Sequence, residues 1–350
     1  MSSGSPPPTA LVCYCRAGFE RECAQEIESI AATNAIDGVV SFEAGDAFVV
    51  YNSKNDEGSL RRVFDWRNLI FARQCLVAFA RFDNLPRKDR LTPMLAALAQ
   101  RGERFADCYV ESPDSDSGKE LAALCKSFGN AVIGALRQKK ILDPQSPNRL
   151  HVFFAHGDLA YLASAQIAAS APWPLGIPRL KFPRGAPSRS TLKLEEAFLV
   201  LMSDDERARW LKAGMTAVDL GAAPGGWTWQ LAHRSIHVTA IDNGPMDPQL
   251  MQSGVVTHLR EDGFRFRPRK PVDWLVCDMV EQPRRIAELI ARWLDESACR
   301  YAIFNLKLPM KKRFEETRLC LNIVRAAAFD VRARQLYHDR EEITVFARRR

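Results

Sequence analysis

The sequence predicts an α/β protein whose C-terminal half is a mostly parallel, doubly wound sheet, preceded by α+β modules. Three observations predict it. From residue 190 onward, strand and helix patterns alternate, as parallel strands joined by crossover helices require. A small-residue turn, Gly221-Ala222-Ala223-Pro224-Gly225-Gly226, ends one of those strands and opens a helix, at the place where open α/β sheets bind ligands. The stretch 171–189 holds five prolines and can be neither regular helix nor central strand, so it reads as a stiff linker between the halves.

The first half is short-element α+β. Residues 11–15 alternate like a strand, and a helix starts at Gly18-Phe19-Glu20 and runs through Ala24, Ile27 and Ile30. Segments 39–42 and 47–51 suggest a hairpin, and 69–82 contains a further apolar run. Residues 87–100 read as a helix, with Leu91, Met94, Leu95 and Leu98 at helical spacing. Then come a strand at 105–111, a loop at 112–118, a long helix at 120–139 and a strand at 150–154. These patterns divide into modules at 11–85 and 86–170, after a disordered tail at 1–10. Neither module contains a metal-ligand spacing or a paired acid/base set, so catalysis is expected elsewhere.

In the second half, Ser190 or Thr191 is expected to cap a helix with acids in its first turn. Strands follow at 217–220, 237–241, 255–259, 274–277, 302–306, 331–335 and 344–347. Helices are expected from Gly226, at 284–294 and at 314–327. The last two strands are close enough in sequence to pair as an antiparallel hairpin. Residues 190–350 therefore form one α/β domain.

Composition narrows the function classes. Of the 350 residues 47% are hydrophobic and 26% charged, a globular balance with ample core. No apolar run approaches the roughly 18 residues of a membrane span. The opening Met1-Ser2-Ser3-Gly4-Ser5-Pro6-Pro7-Pro8 lacks the basic and apolar regions of a signal peptide. Nine cysteines are scattered without a C-x-x-C pair, which suits reduced thiols and a cytoplasmic protein. The net charge of +7 is uneven: residues 1–170 hold 19 Lys/Arg against 20 Asp/Glu, and residues 171–350 hold 30 against 22. The basic half invites a polyanionic partner, although a solvated surface has the same composition. In the linker Arg179, Lys181, Arg184 and Arg189 interleave with Trp173 and Phe182, an arrangement that suits single-stranded nucleic acid or a plain solvated connector.

Three ligands compete for the glycine turn. A P-loop needs a Lys-Ser/Thr pair after its last glycine, and none follows. A dinucleotide site needs G-x-G-x-x-G, and position 223 is Ala. The remaining pattern, Asp219-Leu220-Gly221-x-x-Pro224-Gly225-Gly226-Trp227, resembles motif I of the S-adenosylmethionine methyltransferases of the RrmJ/FtsJ group. Such a cofactor presents a ribose diol, an adenine amino group, an ammonium and a sulfonium-activated methyl. Asp242 ends the strand about twenty residues past the turn, where an acid can accept from a ribose diol or merely cap an Asp-Asn-Gly-Pro turn. Asp262, in an Asp-Gly pair, suits the adenine amino group or an ordinary turn. Asp278 ends Trp274-Leu275-Val276-Cys277 and would face the reacting centre.

The same group uses a Lys-Asp-Lys-Glu set, and Lys193, Asp278, Lys307 and Glu342 stand in matching places. A ribose hydroxyl is a poor nucleophile, so a base must take its proton during transfer. A lysine serves only when burial or a neighbouring cation lowers its pKa, and Lys193 beside Lys307 is expected to supply that repulsion. Glu341 competes with Glu342, which only strand register favours. Lys311-Lys312-Arg313 suits phosphate contacts or a capping charge run.

The runs Gly176-Ile177-Pro178-Arg179-Leu180-Lys181-Phe182-Pro183, Ser190-Thr191-Leu192-Lys193-Leu194-Glu195-Glu196, Asn305-Leu306-Lys307-Leu308-Pro309-Met310-Lys311-Lys312 and Gln335-Leu336-Tyr337-His338-Asp339-Arg340-Glu341-Glu342 resemble the bacterial ribosomal RNA large subunit methyltransferase M (RlmM) family, strongly after residue 175. The resemblance implies a ferredoxin-like N-terminal portion, a THUMP RNA-binding domain and a Rossmann-like methyltransferase domain. It implies 2′-O-methylation of one cytidine in 23S rRNA before the large subunit is fully assembled, by a monomer that needs no metal. It also implies cofactor contacts at Ser190, Gly221, Ala223, Pro224, Gly225, Gly226, Trp227, Asp242, Asp262 and Asp278, with Lys307 as proton acceptor. Ala223 replaces a Cys found in close relatives. The nearly neutral first half is unusual for an RNA-binding module and points to shape and stacking recognition there. A non-catalytic RNA-binding assembly factor retaining this fold is the competing reading.

Overall fold

The computed structural model describes residues 9–349. The chain divides between Ile177 and Pro178 into two compact units. Residues 1–8 of the tail expected at 1–10 lie outside the described residues, and its last two residues are not tail. Thr9 and Ala10 already belong to the first strand, because Ala10 pairs with Asn52 on one side and Ala78 on the other.

Unit 1 contains β1 (Thr9–Tyr14), α1 (Glu20–Thr33), β2 (Gly38–Ser41), β3 (Phe48–Ser53), α2 (Glu57–Val63), β4 (Gln74–Phe82), α3 (Leu91–Arg101), β5 (Asp107–Glu111), α4 (Asp116–Glu120), α5 (Ala122–Gln138), β6 (Asn148–Phe154) and β7 (Ala160–Gln166). Its strands form one seven-stranded sheet in the order β2-β3-β1-β4-β7-β6-β5. The pairing of β4 with β7 carries the sheet across the expected module junction at 85/86. Side-chain alternation divides the core in two. Tyr14, Phe48, Val50 and Phe153 pack on one face, while Leu150, Val152, Phe154 and Leu162 meet Met94 and Leu98 of α3 and Val132 and Leu136 of α5 on the other.

Two helix expectations are corrected here. The helix expected at 87–100 starts only at Leu91 and ends where Gly102 turns left-handed. The expected loop at 112–118 already becomes helix at Asp116, because the Ser115 hydroxyl accepts from the Gly118 N–H. That short helix ends at Glu120, and the long helix expected at 120–139 follows it as Ala122–Gln138.

Unit 2 contains α6 (Thr191–Leu201), α7 (Asp204–Trp210), β8 (Thr216–Leu220), α8 (Gly226–Ala232), β9 (His237–Ile241), α9 (Pro248–Met251), β10 (Val256–Leu259), β11 (Val272–Cys277), α10 (Pro283–Asp295), β12 (Cys299–Lys307), α11 (Arg313–Ala327), β13 (Ala328–Arg334) and β14 (Glu342–Arg349). The sheet order is β10-β9-β8-β11-β12-β14-β13, parallel except where β14 joins β12 and β13. Leu194 and Phe198 of α6 and Trp227 and Leu231 of α8 cover one face over Val238, Trp274, Ile303 and Phe346. Helices α10 and α11 pack on each other, and α10 on β12. Both faces are thus buried, which is why the central strands read as continuous apolar runs. Strand order reverses between β8 and β11, so the ligand crevice lies outside their carboxyl ends.

The expected cap of α6 is not formed. Ser190 already has helical angles, its hydroxyl makes no capping bond, and the first turn holds no acid. Its Oγ lies instead 2.6 Å from Ser188 Oγ. The helix that does show a full capping box is α7, where Ser203 and Glu206 bond reciprocally.

Candidate active site

The residues expected to hold a cofactor gather at the carboxyl ends of β8 to β11. Gly221 and Gly225 have positive φ, +77° and +116°, conformations that glycine adopts without a Cβ clash. A Cβ at Gly226 would overlap both Ser190 Oγ and Ser188 Oγ, and one at Gly221 would come within 2.5 Å of Met279 Cγ. At its glycines the turn therefore packs bare backbone against Ser190 and Met279. Asp242, just past β9, accepts from the Ala223 N–H (3.0 Å) and the Gly244 N–H (2.7 Å), which fixes its carboxylate beside the turn. Asp262, past β10, is exposed and accepts from the Phe264 N–H at 2.8 Å. Pro224 is exposed and Ala223 half-buried. The Trp227 indole is part of the core, so any role it has toward a ligand falls to its backbone. A glycine-rich turn ringed by three acids at successive strand ends fits a ligand that offers a diol, an amino group and an ammonium.

Beside this turn, α6, β11, β12 and β14 bring Lys193, Asp278, Lys307 and Glu342 together. Lys307 Nζ donates to Asp278 Oδ1 at 2.8 Å and to Glu342 Oε2. Lys193 Nζ donates to Glu342 Oε1 and lies 3.4 Å from Asp278 Oδ2. The two carboxylates are thus sandwiched between the two ammonium groups, with side-chain exposures of 7–22%. Antiparallel register sets Glu342 opposite Lys307, whereas Glu341 pairs with Arg313 at 2.6 Å.

The charge state corrects one expectation. Burial pushes the Lys307 pKa down, but Asp278 and Glu342 outweigh it and the net shift is upward. Repulsion from Lys193 does not lower it, because both carboxylates stand between the lysines. Nearby, burial raises the Asp219 carboxyl to about 7, and Thr228 Oγ1 donates to it at 2.6 Å, tying α8 to β8.

Two contributors escaped the sequence reading. Glu196, buried on α6, accepts from the Tyr337 and His338 N–H groups (2.7 and 2.9 Å) and contacts His338 Nδ1 at 2.6 Å. It clamps α6, and hence Lys193, to the loop before β14. Asn305 donates from Nδ2 to Asp278 Oδ1 at 2.8 Å. It stands two residues before Lys307 on one strand, so period-two alternation already put both on one face.

Comparison with known proteins decides the family. A relative named ribosomal RNA large subunit methyltransferase M, from Xanthomonas oryzae pv. oryzae (strain PXO99A), is 54% identical over 348 residues, covering 97% of this chain and 99% of its own. The chain belongs to the ribosomal RNA large subunit methyltransferase M family. A relative of that name from Xanthomonas campestris pv. campestris (strain B100) is 54% identical over 347 residues, with the same coverage. Family descriptions match in three segments: the RlmM ferredoxin-like domain at 9–76, the N-terminal region of ribosomal RNA large subunit methyltransferase M at 89–166, and FtsJ-like methyltransferase at 186–339. The whole site described above falls within the FtsJ-like segment except Glu342, just beyond it. Among solved structures, TrmN from Thermus thermophilus aligns over 97% of this chain and 99% of its own, at 16% identity and a TM-score of 0.36. No helix among the described residues is long and apolar enough to cross a membrane.

Proposed function

We propose that this member of the RlmM family is a cytoplasmic enzyme that transfers a methyl group from S-adenosylmethionine to the ribose 2′-hydroxyl of a cytidine in 23S rRNA, before the large subunit is fully assembled. One observation carries the reading: two lysines and two carboxylates meet beside a turn at the strand ends whose glycines leave no room for a Cβ. The cofactor, when bound, supplies a methyl carbon activated by its sulfonium. Ser190, the turn from Gly221 to Trp227, Asp242, Asp262 and Asp278 would hold it. Lys307 is the proton acceptor for the ribose hydroxyl. Asp278 and Glu342 aim its Nζ, and Lys193 balances their charge. Because the two carboxylates favour the ammonium form of Lys307, that proton must leave before the amine can act as base.

The substrate side has its own signature. Val280 and Met310 follow Asp278 and Lys307 closely and are 88% and 93% exposed. Apolar side chains left in water at a site mouth suit the flat face of a nucleobase, with Lys311 and Lys312 exposed nearby for phosphates. In this reading residues 86–170 form the THUMP module that grips the RNA.

The test is genetic and chemical. Deleting the gene should remove one ribose methylation from 23S rRNA, and the wild-type gene should restore it. Lys307→Ala should fail to restore it while the purified variant still binds S-adenosylmethionine. Restoration by Lys307→Ala would refute the proton acceptor. A methylation pattern unchanged by deletion would favour a binding factor without catalysis.

A further inference from the structure

Beneath the two lysines lies a set of polar side chains that the proposed chemistry does not use. Asn305, Thr344 and Asp339 are all buried, at 0%, 0% and 1% exposure. Register places Asn305 opposite Thr344, two pairs along the ladder from Lys307 opposite Glu342 and so on the same face. The Thr344 hydroxyl donates to Asn305 Oδ1 at 2.7 Å, and Asn305 Nδ2 donates to Asp278 Oδ1 at 2.8 Å. Thr344 Oγ1 also lies 3.1 and 3.0 Å from the two oxygens of Asp339. Asp339 Oδ2 accepts from the Leu336 N–H at 2.9 Å.

A hydroxyl has one proton to give. With that proton on the shorter bond to Asn305, the contact between Thr344 and Asp339 is a hydrogen bond only if Asp339 is the donor. Every donor then points the same way, from Asp339 through Thr344 and Asn305 toward Asp278. We infer that Asp339, Thr344 and Asn305 form a one-way buried hydrogen-bond chain that positions the Asp278 carboxylate against Lys307. The inference rests on the proposed role of Lys307.

The surroundings of Asp339 agree. Burial pushes its carboxyl well above the ordinary range, Glu342 of β14 and Glu196 of α6 push it further, and Lys193 of α6 opposes them. The neutral acid is the form the chain needs. The chain also settles an ambiguity that an isolated amide leaves open, since a flipped Asn305 would turn its carbonyl oxygen on the Asp278 carboxylate. With the amide pinned, Asp278 Oδ1 receives two donors, Asn305 Nδ2 and Lys307 Nζ. Sharing weakens its hold on the lysine proton. Breaking the chain should make Lys307 release its proton less readily.

The test compares Thr344→Val, Thr344→Ser, Asp339→Asn, Asp339→Ala and Lys307→Ala in single-turnover methyl transfer to a transcribed 23S rRNA fragment. The cofactor is saturating, its affinity is measured separately, and the pH series runs from about 6 to 10. Thr344→Val should slow transfer near neutrality by about tenfold and move the ascending limb of the profile to higher pH, with cofactor affinity unchanged. Thr344→Ser and Asp339→Asn keep the same donors and should stay within about twofold of wild type, whereas Asp339→Ala should resemble Thr344→Val. A wild-type rate and profile in Thr344→Val overturns the chain, as does an Asp339→Asn variant as impaired as Asp339→Ala. Should Thr344→Val fail to fold, Asp339→Asn against Asp339→Ala decides alone. Lys307→Ala separates the two claims: retained turnover there defeats the base, while a dead Lys307→Ala beside an unaltered Thr344→Val defeats only the chain.

Discussion

Both units bury a carboxylate among polar partners, yet the two clusters are built to opposite ends. In unit 1, Glu111 is 3% exposed and accepts from Tyr14 Oη (3.0 Å) and the Leu175 N–H (2.6 Å), with His151 Nδ1 at 2.9 Å. Burial and the nearby Glu111 push the Tyr14 phenol well up, so it stays a donor. In unit 2, Asp278 and Glu342 face two ammonium groups at the strand ends, and the cluster is open enough for a reactant to reach it. Burial of charge alone therefore does not mark a working site. What distinguishes the second cluster is position outside the carboxyl ends of parallel strands, where the proposed mechanism needs an exchangeable proton.

Paired isosteric substitutions are the sharpest way to break this contrast. Asp278→Asn should reduce methyl transfer about 10³-fold, because Lys307 and Lys193 lose a shared anion that orients them. Its melting temperature should fall less than that of Glu111→Gln, because Asp278 is 17% exposed and Glu111 3%. Glu111→Gln should do the reverse: transfer by the folded protein stays near wild type, but replacing an all-acceptor carboxylate by an amide leaves a buried donor mismatched and costs about 1–3 kcal/mol. Thermal unfolding and single-turnover rates on the two variants check both. If Glu111→Gln alone abolishes transfer, the two clusters are not functionally distinct.

The pH dependence follows in size. In the proposed mechanism Lys307 acts as a neutral amine, whereas its pKa is raised. Below that pKa the rate should climb about tenfold per pH unit as pH rises. The sign for stability is opposite. A raised lysine contributes stability that is complete below its unfolded pKa and is lost as pH rises through the folded one, so alkaline pH should speed transfer while loosening unit 2. A rate that is flat from neutral to alkaline pH would falsify the base assignment.

The smallest expected effect is at the site mouth. Met310→Ala should raise the KM for RNA about five- to tenfold by removing one stacking surface, with kcat and cofactor affinity nearly unchanged. A fall in kcat without a change in KM would move Met310 from substrate contact into support of Lys307.

Much of unit 2 was legible because its signals are local. Alternating strand and helix patterns, the glycines of the turn, and acids or lysines at strand ends are properties of short segments. Unit 1 was read less completely: β7 went unnoticed, and its small, Ala-rich run Ala160-Tyr161-Leu162-Ala163-Ser164-Ala165 offers weak strand propensity. Its strandedness comes from lying between β4 and β6. The expected cap at Ser190 failed for a related reason, since the hydroxyl is engaged with Ser188 beside the turn instead.

By itself the sequence determined the α/β class, the turn whose backbone needs glycine, and the short list of residues able to carry the chemistry. Those follow from steric limits and periodicity that act over a few residues. Only the tertiary structure decided which glutamate faces Lys307, because a one-residue change of register exchanges the two faces of β14. It alone showed two carboxylates between the lysines, and so an ammonium held rather than released. It alone joined Asp339, Thr344 and Asn305 behind Asp278, since a hydrogen-bond direction depends on which neighbours long-range packing supplies.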